Sequence, residues 1–544
     1  MIPRRFRRAK PLVDTYDFII VGGGSAGCVL ARRLVDSGAV SVLLLEAGPS
    51  DWNPLLHVPA GFTKLTGTSH TWGYETSPQS GLKNRQVWYP QARVLGGGSS
   101  INAQLYTRGN AWDYDNWAAH GCDGWAYADV LPYFRRAEDN TRFADEFHGQ
   151  GGPLRVSDPV PHPLTTVFAR AAQQAGMTYN PDFNGAQQAG LGFYQVTNRA
   201  GRRSSAAVCY LGPVQNAEQL TLRCDAHVER IIVTGGRATG VMLNGKKITA
   251  RREVILTAGA IGSPRVLMHS GIGPAQHLSE VGIKVVMDLP GVGENLHDHM
   301  DVFVVAECDG DLSFDRYKPL HMQAWAGLQY GVNRTGPLAH NICDGGGFWY
   351  ADNTDEAPAP DIQFHFLPGS GLEHGLKPIR NGVTLNSAYL RPKSRGEVRL
   401  KSSDPTAKVH INPNYWNDPN DMRLSVEGFK LARRILSAPV FRDVLLGEAN
   451  PGPACKTEDD IIQYAYRHAK TDYHPVGTCR MGAAEDPQAV VTPDLCLKGV
   501  EGLRVCDSSV MPFVNSSNTN APTIMIAEKA ADAILAQHAL KDTP

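Results

Sequence analysis

The chain of 544 residues has no long apolar run: stretches such as 40–45 are of strand length, far short of the roughly 20 residues a membrane helix needs. No secretory leader is expected either. The first ten residues carry Arg4, Arg5, Arg7, Arg8 and Lys10, with no apolar segment of about 7–15 residues behind them. An excess of one charge is missing as well: 53 Lys plus Arg stand against 54 Asp plus Glu, for a formal net charge of −1. That balance removes the electrostatic case for nucleic acid as a partner. The ten cysteines, among them Cys28, Cys122, Cys209, Cys343 and Cys479, form no C-x-x-C pair and no metal-ligand spacing. They read as reduced structural residues, and no metal is expected. Internal repeats and low-complexity tracts are absent. The expectation is a cytoplasmic globular protein with a solvated, flexible basic segment at 1–13. Its alternative is a peripheral hold on the anionic inner face of a membrane.

What the chain does have is more length than one core can use, since single cores stop growing at roughly 250–300 residues. Near its start, Tyr16-Asp17-Phe18-Ile19-Ile20-Val21 is an aromatic and β-branched run, the pattern of a buried strand. Gly22, Gly24 and Gly27 follow at once in G-x-G-x-x-G spacing, then a helical segment over 28–35 with Gly38 as a stop. Val42-Leu43-Leu44-Leu45 is a second strand, and it ends in Glu46. Each piece answers a physical demand. Gly22 permits a tight turn, Gly24 lets backbone approach a pyrophosphate, and Gly27 allows close packing of helix on strand. The pyrophosphate meets the free N–H groups and positive end of the helix, and Glu46 accepts hydrogen bonds from a ribose diol. Dinucleotide binding follows. The fingerprint alone leaves FAD and NAD both open.

A second glycine loop, Ala92-Arg93-Val94-Leu95-Gly96-Gly97-Gly98-Ser99-Ser100-Ile101-Asn102, precedes Tyr106 and Gly109. Gly259-Ala260-Ile261-Gly262-Ser263-Pro264 begins a further segment that runs through Ser270-Gly271-Ile272-Gly273. With Asp182-Phe183-Asn184-Gly185, Gly201-Arg202-Arg203-Ser204-Ser205, Gly291-Val292-Gly293-Glu294-Asn295-Leu296 and Tyr473-His474-Pro475-Val476-Gly477-Thr478, these motifs resemble the glucose–methanol–choline (GMC) oxidoreductases. The resemblance runs from about residue 14 to about residue 536, and is nearest the bacterial choline dehydrogenase and alcohol dehydrogenase branch.

The resemblance implies FAD rather than NAD, and an α/β Rossmann-like FAD-binding domain joined to an α+β substrate domain with an antiparallel sheet. It puts Gly22, Gly24, Ser25, Gly27 and Glu46 on the ADP half, counts Ala47 among the cofactor contacts, and puts Trp72, Arg93, Gly97, Asn102 and Ala103 near the pyrophosphate or flavin. Val228 is matched to the adenine contact, while Asp507 and Asn520 frame the last flavin-contacting segment, ahead of a helix expected over 523–535. Some choline-oxidising relatives link the flavin through a histidine where this chain has Ile101, so the FAD is expected to be non-covalent.

Oxidising an alcohol needs a base for the hydroxyl proton and a hydride acceptor, and imidazole suits the first task near neutral pH. Among 18 histidines the resemblance singles out His474 as the base and Asn518 as its hydrogen-bonding companion. An amide orients an alcohol but does not take its proton. Tyr473 and Asp344 are candidate substrate contacts. A carboxylate at 344 suits a quaternary ammonium, with Tyr473 or Trp349 adding cation–π attraction, but an Asp beside glycines is also ordinary turn chemistry. The expected activity is oxidation of primary alcohols to aldehydes, with electrons passed to a quinone-like acceptor. The alternatives are a choline dehydrogenase, an oxygen-using oxidase and, more remotely, a hydroxynitrile lyase. The FAD domain is expected at 14–158, 201–302 and 473–538, and the substrate domain at 159–200 and 303–472. Alternating patterns at 362–366 and 396–400 suggest antiparallel strands with one covered face, and 422–438 a long helix across them.

Overall fold

The computed structural model describes residues 10–38, 40–351, 359–370, 376 and 379–540. The basic run at residues 4–8 therefore lies outside the described residues. Lys10, counted with it, is anchored: its ammonium donates to the carbonyls of Ala217 at 2.6 Å and Leu220 at 3.0 Å.

Two sheets organise the chain. The first contains β1 (Thr15–Val21), β2 (Val42–Leu45), β4 (Leu220–Arg223), β5 (Val228–Thr234), β6 (Arg237–Leu243), β7 (Lys246–Leu256) and β14 (Leu503–Val505). Its order is β4-β2-β1-β7-β6-β5, with β14 pairing along the C-terminal half of β7. The β4, β2, β1, β7 and β14 pairings are parallel, as βαβ crossovers require, and β5, β6 and the start of β7 form an antiparallel extension. Every residue of β2 is buried, which is why its sequence is an unbroken apolar run.

The second sheet is antiparallel. It takes β3 (Gly190–Phe193), β8 (Met300–Cys308), β9 (Gly345–Trp349), β10 (Ile362–Leu367), β11 (Gly382–Tyr389), β12 (Leu445–Asn450) and the short β13 (Lys470–Thr471). Its order is β12-β8-β11-β10-β9-β3, with β13 on β8. The strand expected at 362–366 is present, but both faces of β10 are buried rather than one. Ile362 packs toward the helix Pro419–Leu436, near Gly428, and Phe366 stacks on Phe168. Gln363, His365 and Leu367 point the other way, and His365 and Leu367 line an internal cavity. The alternation is real; its polar row faces an enclosed site instead of bulk water. The strand expected at 396–400 forms a separate two-stranded ribbon, Glu397–Arg399 with His410–Asn412.

The helices packed on and around these sheets include α1 (Ser25–Asp36), the single turn α2 (Gly98–Ile101), α3 (Leu320–Asn333), α4 (Pro419–Leu436) and α5 (Asn520–Gln537). Arg33 of α1 pairs with Glu528 and, at 2.7 Å, with Asp532 of α5, so the two helices are clasped side by side. All ten cysteines are free. No helix among the described residues is long and apolar enough to cross a membrane.

Candidate active site

A cavity of about 660 Å³ lies between the two sheets. One end is built by the first glycine turn. A Cβ on Gly27 would stand 1.9 Å from the Gly22 carbonyl oxygen, so the helix can start against its strand only without a side chain there. The second glycine loop docks on the first: Gly96 N–H donates to the Gly23 carbonyl at 2.7 Å. A Cβ on Gly97, whose φ is +53°, would meet the Gly24 Cα at 2.7 Å. Beside this contact Gly98 faces open space, and both Gly24 and Gly98 line the cavity.

Two helices begin at the cavity without a side-chain cap, α1 at Gly24 and α5 at Thr519. Their first N–H groups are the kind of donors that hold a pyrophosphate or an electron-rich ring. Ser25 and Asn520, at the two starts, are joined by a 2.7 Å hydrogen bond from Ser25 Oγ. Glu46 also lines the cavity, with its carboxylate accepting from Gly23 N–H at 2.8 Å and Gly48 N–H at 2.7 Å. Burial raises its carboxyl above the usual range. Ala47, Asn102, Ala103, Val228 and Asp507 line the same space. Asp507 is tied down by Gly259 N–H at 2.9 Å, Ser263 Oγ at 2.5 Å and Ser509 N–H at 2.8 Å. Trp72 and Arg93 are grouped together. The Arg93 guanidinium lies 5.3 Å over Trp72 and bonds the Ala47 carbonyl, while Trp72 meets His227 edge-on at 5.9 Å. They stand beside Ala47 and His227. The donor set and the open glycine cradle fit a bound FAD.

At the far end the sequence-distant His474 and Asn518 meet, with Asn518 Nδ2 3.0 Å from His474 Nε2. Their hydrogen bonds fix the protons. Asn518 Oδ1 already accepts from Thr107 Oγ1 and Gln363 Nε2, each at 3.0 Å, so its nitrogen is the atom facing His474. His299 Nε2–H donates to the Leu390 carbonyl at 3.0 Å, leaving His299 Nδ1 as an acceptor. His474 Nδ1, 3.0 Å from that acceptor, therefore carries the hydrogen, and His474 Nε2 keeps its lone pair on the cavity side. Burial first, and then the positive charge of Lys470, hold the His474 imidazole well below its ordinary range. Burial likewise pushes His299 and His365 down to about 4.

The loop that carries His474 is pinned from below. Asp298 accepts from His474 N–H at 2.7 Å, and from Tyr415 Oη and Thr471 Oγ1 at 2.5 Å each. Tyr473 sits at φ +67° and is 41% exposed, its N–H bonded to Thr471 Oγ1 at 2.8 Å. Asp472 Oδ2 lies 3.3 Å from His474 Nδ1. Burial and the neighbouring Asp301 push the Asp472 carboxyl well above the usual range, and Lys470 stands 3.2 Å from Asp301. His299, Asp472 and His474, and likewise Asp301, His365 and Asp472, bring ligand-type atoms within 4.8 Å of one another, a grouping that spacing in the sequence does not disclose.

Asp344 is placed elsewhere. Its carboxylate accepts from His162 N–H at 2.8 Å and Thr165 Oγ1 at 2.7 Å, and it does not line the cavity. Ile101 does line it, at the position where a linking histidine stands in some relatives.

The GMC oxidoreductase family models match residues 16–301 and 392–527. The chain belongs to that family. It is 42% identical over 531 residues to an alcohol dehydrogenase [acceptor] of Pseudomonas putida, covering 96% of each chain. To the mitochondrial choline dehydrogenase of Homo sapiens it is 42% identical over 553 residues, 98% of this chain and 92% of the relative. A formate oxidase of Aspergillus oryzae RIB40, solved to follow the effect of a mutation on FAD modification, superposes with a TM-score of 0.91 at 26% identity. That match covers 97% of this chain and 100% of the other. This GMC oxidoreductase is accordingly an FAD-dependent enzyme acting on alcohol donors, with a Rossmann-like domain and an antiparallel-sheet domain.

Proposed function

We propose that the enzyme oxidises primary alcohols to aldehydes, with His474 as the proton acceptor and Asn518 as the group that orients the alcohol. The observation that carries this reading is the His474 Nε2–Asn518 Nδ2 contact of 3.0 Å on the cavity wall, with the lone pair assigned to Nε2. FAD, when bound, supplies the hydride acceptor. A hydroxyl entering between the two side chains replaces their mutual bond: its O–H donates to His474 Nε2 and its oxygen accepts from Asn518 Nδ2. As the imidazole takes the proton, the amide donor stays on the oxygen while charge develops there, which would favour loss of hydride from the adjacent carbon to a bound FAD. Gln363 and Thr107 hold the amide the right way round throughout.

Residues Gly22, Gly24, Ser25, Gly27, Glu46, Ala47, Trp72, Arg93 and Val228 hold the ADP half in this reading. Gly97, Asn102, Ala103, Asp507 and Asn520 then bracket the pyrophosphate and flavin, and Tyr473 flanks the alcohol. Electrons leave to a quinone-like acceptor, a reading supported by the similarity to a dehydrogenase named for its acceptor. Anaerobic reduction by a primary alcohol followed by timed reoxidation tests this. Fast turnover with a quinone or dye and slow reoxidation in air is expected, whereas rapid reoxidation in air makes the enzyme an oxidase.

A second reading, choline as the alcohol, is favoured by similarity to choline dehydrogenases. Against it, both Asp344 oxygens are committed to the protein's own donors, away from the cavity. Choline is compared with its neutral isostere 3,3-dimethylbutan-1-ol; a strong preference for choline that Asp344→Asn abolishes would establish the second reading.

A further inference from the structure

The motif Asp182-Phe183-Asn184-Gly185 does not line the cavity, yet it reaches the active site through a chain of hydrogen bonds. Asp182 Oδ1 accepts from Asn184 N–H at 3.0 Å. The Asn184 amide then brackets Thr107: its Oδ1 accepts from Arg108 N–H at 3.0 Å, and its Nδ2 donates to the Tyr106 carbonyl at 3.1 Å. Thr107, held between them, donates to Asn518 Oδ1 and, with Gln363, sets which end of that amide faces His474. The chain begins at one carboxylate, whose other oxygen, Asp182 Oδ2, lies 3.0 Å from His148 Nε2.

His148 is buried between two acids. Its Nδ1 lies 3.2 Å from Glu138 Oε1 and its Nε2 faces Asp182, so each ring nitrogen meets a carboxylate oxygen. Asn140 Nδ2 also stands 3.1 Å from His148 Nδ1, but its two hydrogens go to Glu138 Oε1 at 2.8 Å and Gln195 Oε1 at 2.9 Å. That amide is not free to turn over, because Asn140 Oδ1 accepts from Arg142 N–H at 2.9 Å and Phe143 N–H at 3.1 Å. A neutral imidazole carries one N–H and would set its lone pair against one of the carboxylates; only the imidazolium donates at both ends. Charge balance agrees. Arg108 binds Glu138 Oε2 at 2.5 Å, so two cations and two carboxylates form a neutral quartet, whereas a neutral His148 would leave a buried negative charge in excess. The remaining titratable neighbours are Tyr106 and Tyr127, phenols that burial pushes up, and Asp145, which accepts from the His148 backbone N–H at 3.0 Å. Phe143 stacks on the imidazole at 4.9 Å. Burial alone would lower His148, but the hydrogen bonds to Asp182 and Glu138 outweigh it and carry the group up to about 9.

We infer that His148 is a fixed imidazolium and a positioning residue for alcohol oxidation, holding the Asn518 amide in its working orientation through Asp182, Asn184 and Thr107. The inference rests on the reading of His474 and Asn518 as the pair that handles the alcohol. Loss of the His148 proton turns a lone pair toward Asp182 or Glu138, and the brace on Thr107 gives way. Alcohol oxidation then carries an alkaline limb, separate from the acid limb of His474. The same proton is linked to stability. With the folded value raised above the ordinary 6.5 or so, the contribution is complete below about pH 6.5 and is lost as pH rises through about 9.

The test follows anaerobic flavin reduction and thermal melting of the FAD-loaded enzyme from about pH 6 to about pH 10. The wild-type rate is expected to fall about ten-fold as pH rises through about 9, and the melting temperature to fall with it. His148→Gln should reduce its flavin about ten-fold more slowly at neutral pH, and should lack both the alkaline limb and this part of the melting decline. Asp182→Asn replaces a carboxylate facing the imidazolium by a neutral amide, so its limb should move down by about one to three pH units. A merely structural role would slow the variants at every pH and leave the limb where it is. Bound flavin absorbance shows that each variant is folded and loaded; if His148→Gln does not load, Asp182→Asn decides alone. The inference is overturned if the wild-type rate stays level to about pH 10, if His148→Gln keeps the limb, or if Asp182→Asn leaves it unmoved. It is also overturned if melting reports the loss of the proton while the rate does not change. Failure of the underlying reading shows separately, as an acid limb that survives His474→Ala, and the melting comparison still reports the charge on His148.

Discussion

At the scale of single residues, the chemistry depends on where one proton sits. With burial and nearby positive charge holding His474 well below the ordinary histidine value of about 6.5, Nε2 is free to accept across the neutral range. The rate of flavin reduction should therefore be flat down through pH 6.5 and fall only in more acidic solution, as the imidazole becomes occupied. His474→Ala should lose about 10²–10⁴ in that rate, retain its flavin and lose the acid limb. Anaerobic stopped-flow reduction checks both; a mutant that keeps the wild-type limb would put the base elsewhere. Asn518→Ala should slow the reaction and keep the limb, because an amide does not titrate. Glu46 is a different case. Its carboxylate is already shared between two backbone N–H groups, so Glu46→Ala removes a ribose acceptor and a brace of the turn at once. FAD affinity should drop roughly ten- to a hundred-fold, with turnover at saturating FAD largely preserved. Titration of the apoprotein measures this, and an unchanged affinity would take Glu46 out of the site.

At the scale of elements, the decisive part is the loop after β13, which Asp298 holds through His474 N–H, Tyr415 and Thr471. Asp298→Ala strands those donors and should cost on the order of 3 kcal/mol of stability, seen as a lower melting temperature. It should also slow flavin reduction while leaving the acid limb in place, the mark of a group that positions His474. An unchanged rate would show that the loop keeps its shape without Asp298. The sequence disclosed unevenly here. The first glycine turn was legible because its demands are local: strand, turn and helix are adjacent, and Gly27 has no room for a Cβ. His474 and Asn518 were named through the resemblance, but their meeting depends on pairings that no short window contains. His299, Asp298 and Asp472 were missed for that reason; Asp472 N–H reaches the His299 carbonyl only after β8 and β13 pair. The last helix was expected from 523, yet α5 starts at Asn520, since Pro522 is tolerated in a first turn where no N–H is needed. The polar row of β10 was read as solvent-facing because periodicity reports sidedness and is silent on what lies opposite.

At the scale of the whole molecule, the cofactor cavity is lined from both sheets and from both ends of the chain. A ligand held by so many separate segments stabilises the folded state by mass action, about 4 kcal/mol at a free concentration a thousand times its dissociation constant. Removing FAD should therefore lower the melting temperature by several degrees, and adding it back should restore the value; no change would mean that the cavity is rigid and weakly coupled to folding. With Ile101 at the linking position, acid precipitation should leave the yellow colour in the supernatant, and colour retained in the pellet would reveal a covalent bond. The pairing of β14 with β7 bears on how the protein is made. A ribosome delivers the whole glycine fingerprint within the first tenth of synthesis, but β14 and the uncapped start of α5 emerge among the last residues. The nascent chain thus carries the mark of a flavoprotein long before it has a place to keep a flavin. Cofactor capture becomes the closing event of maturation, and a message truncated just before β14 would yield a colourless protein.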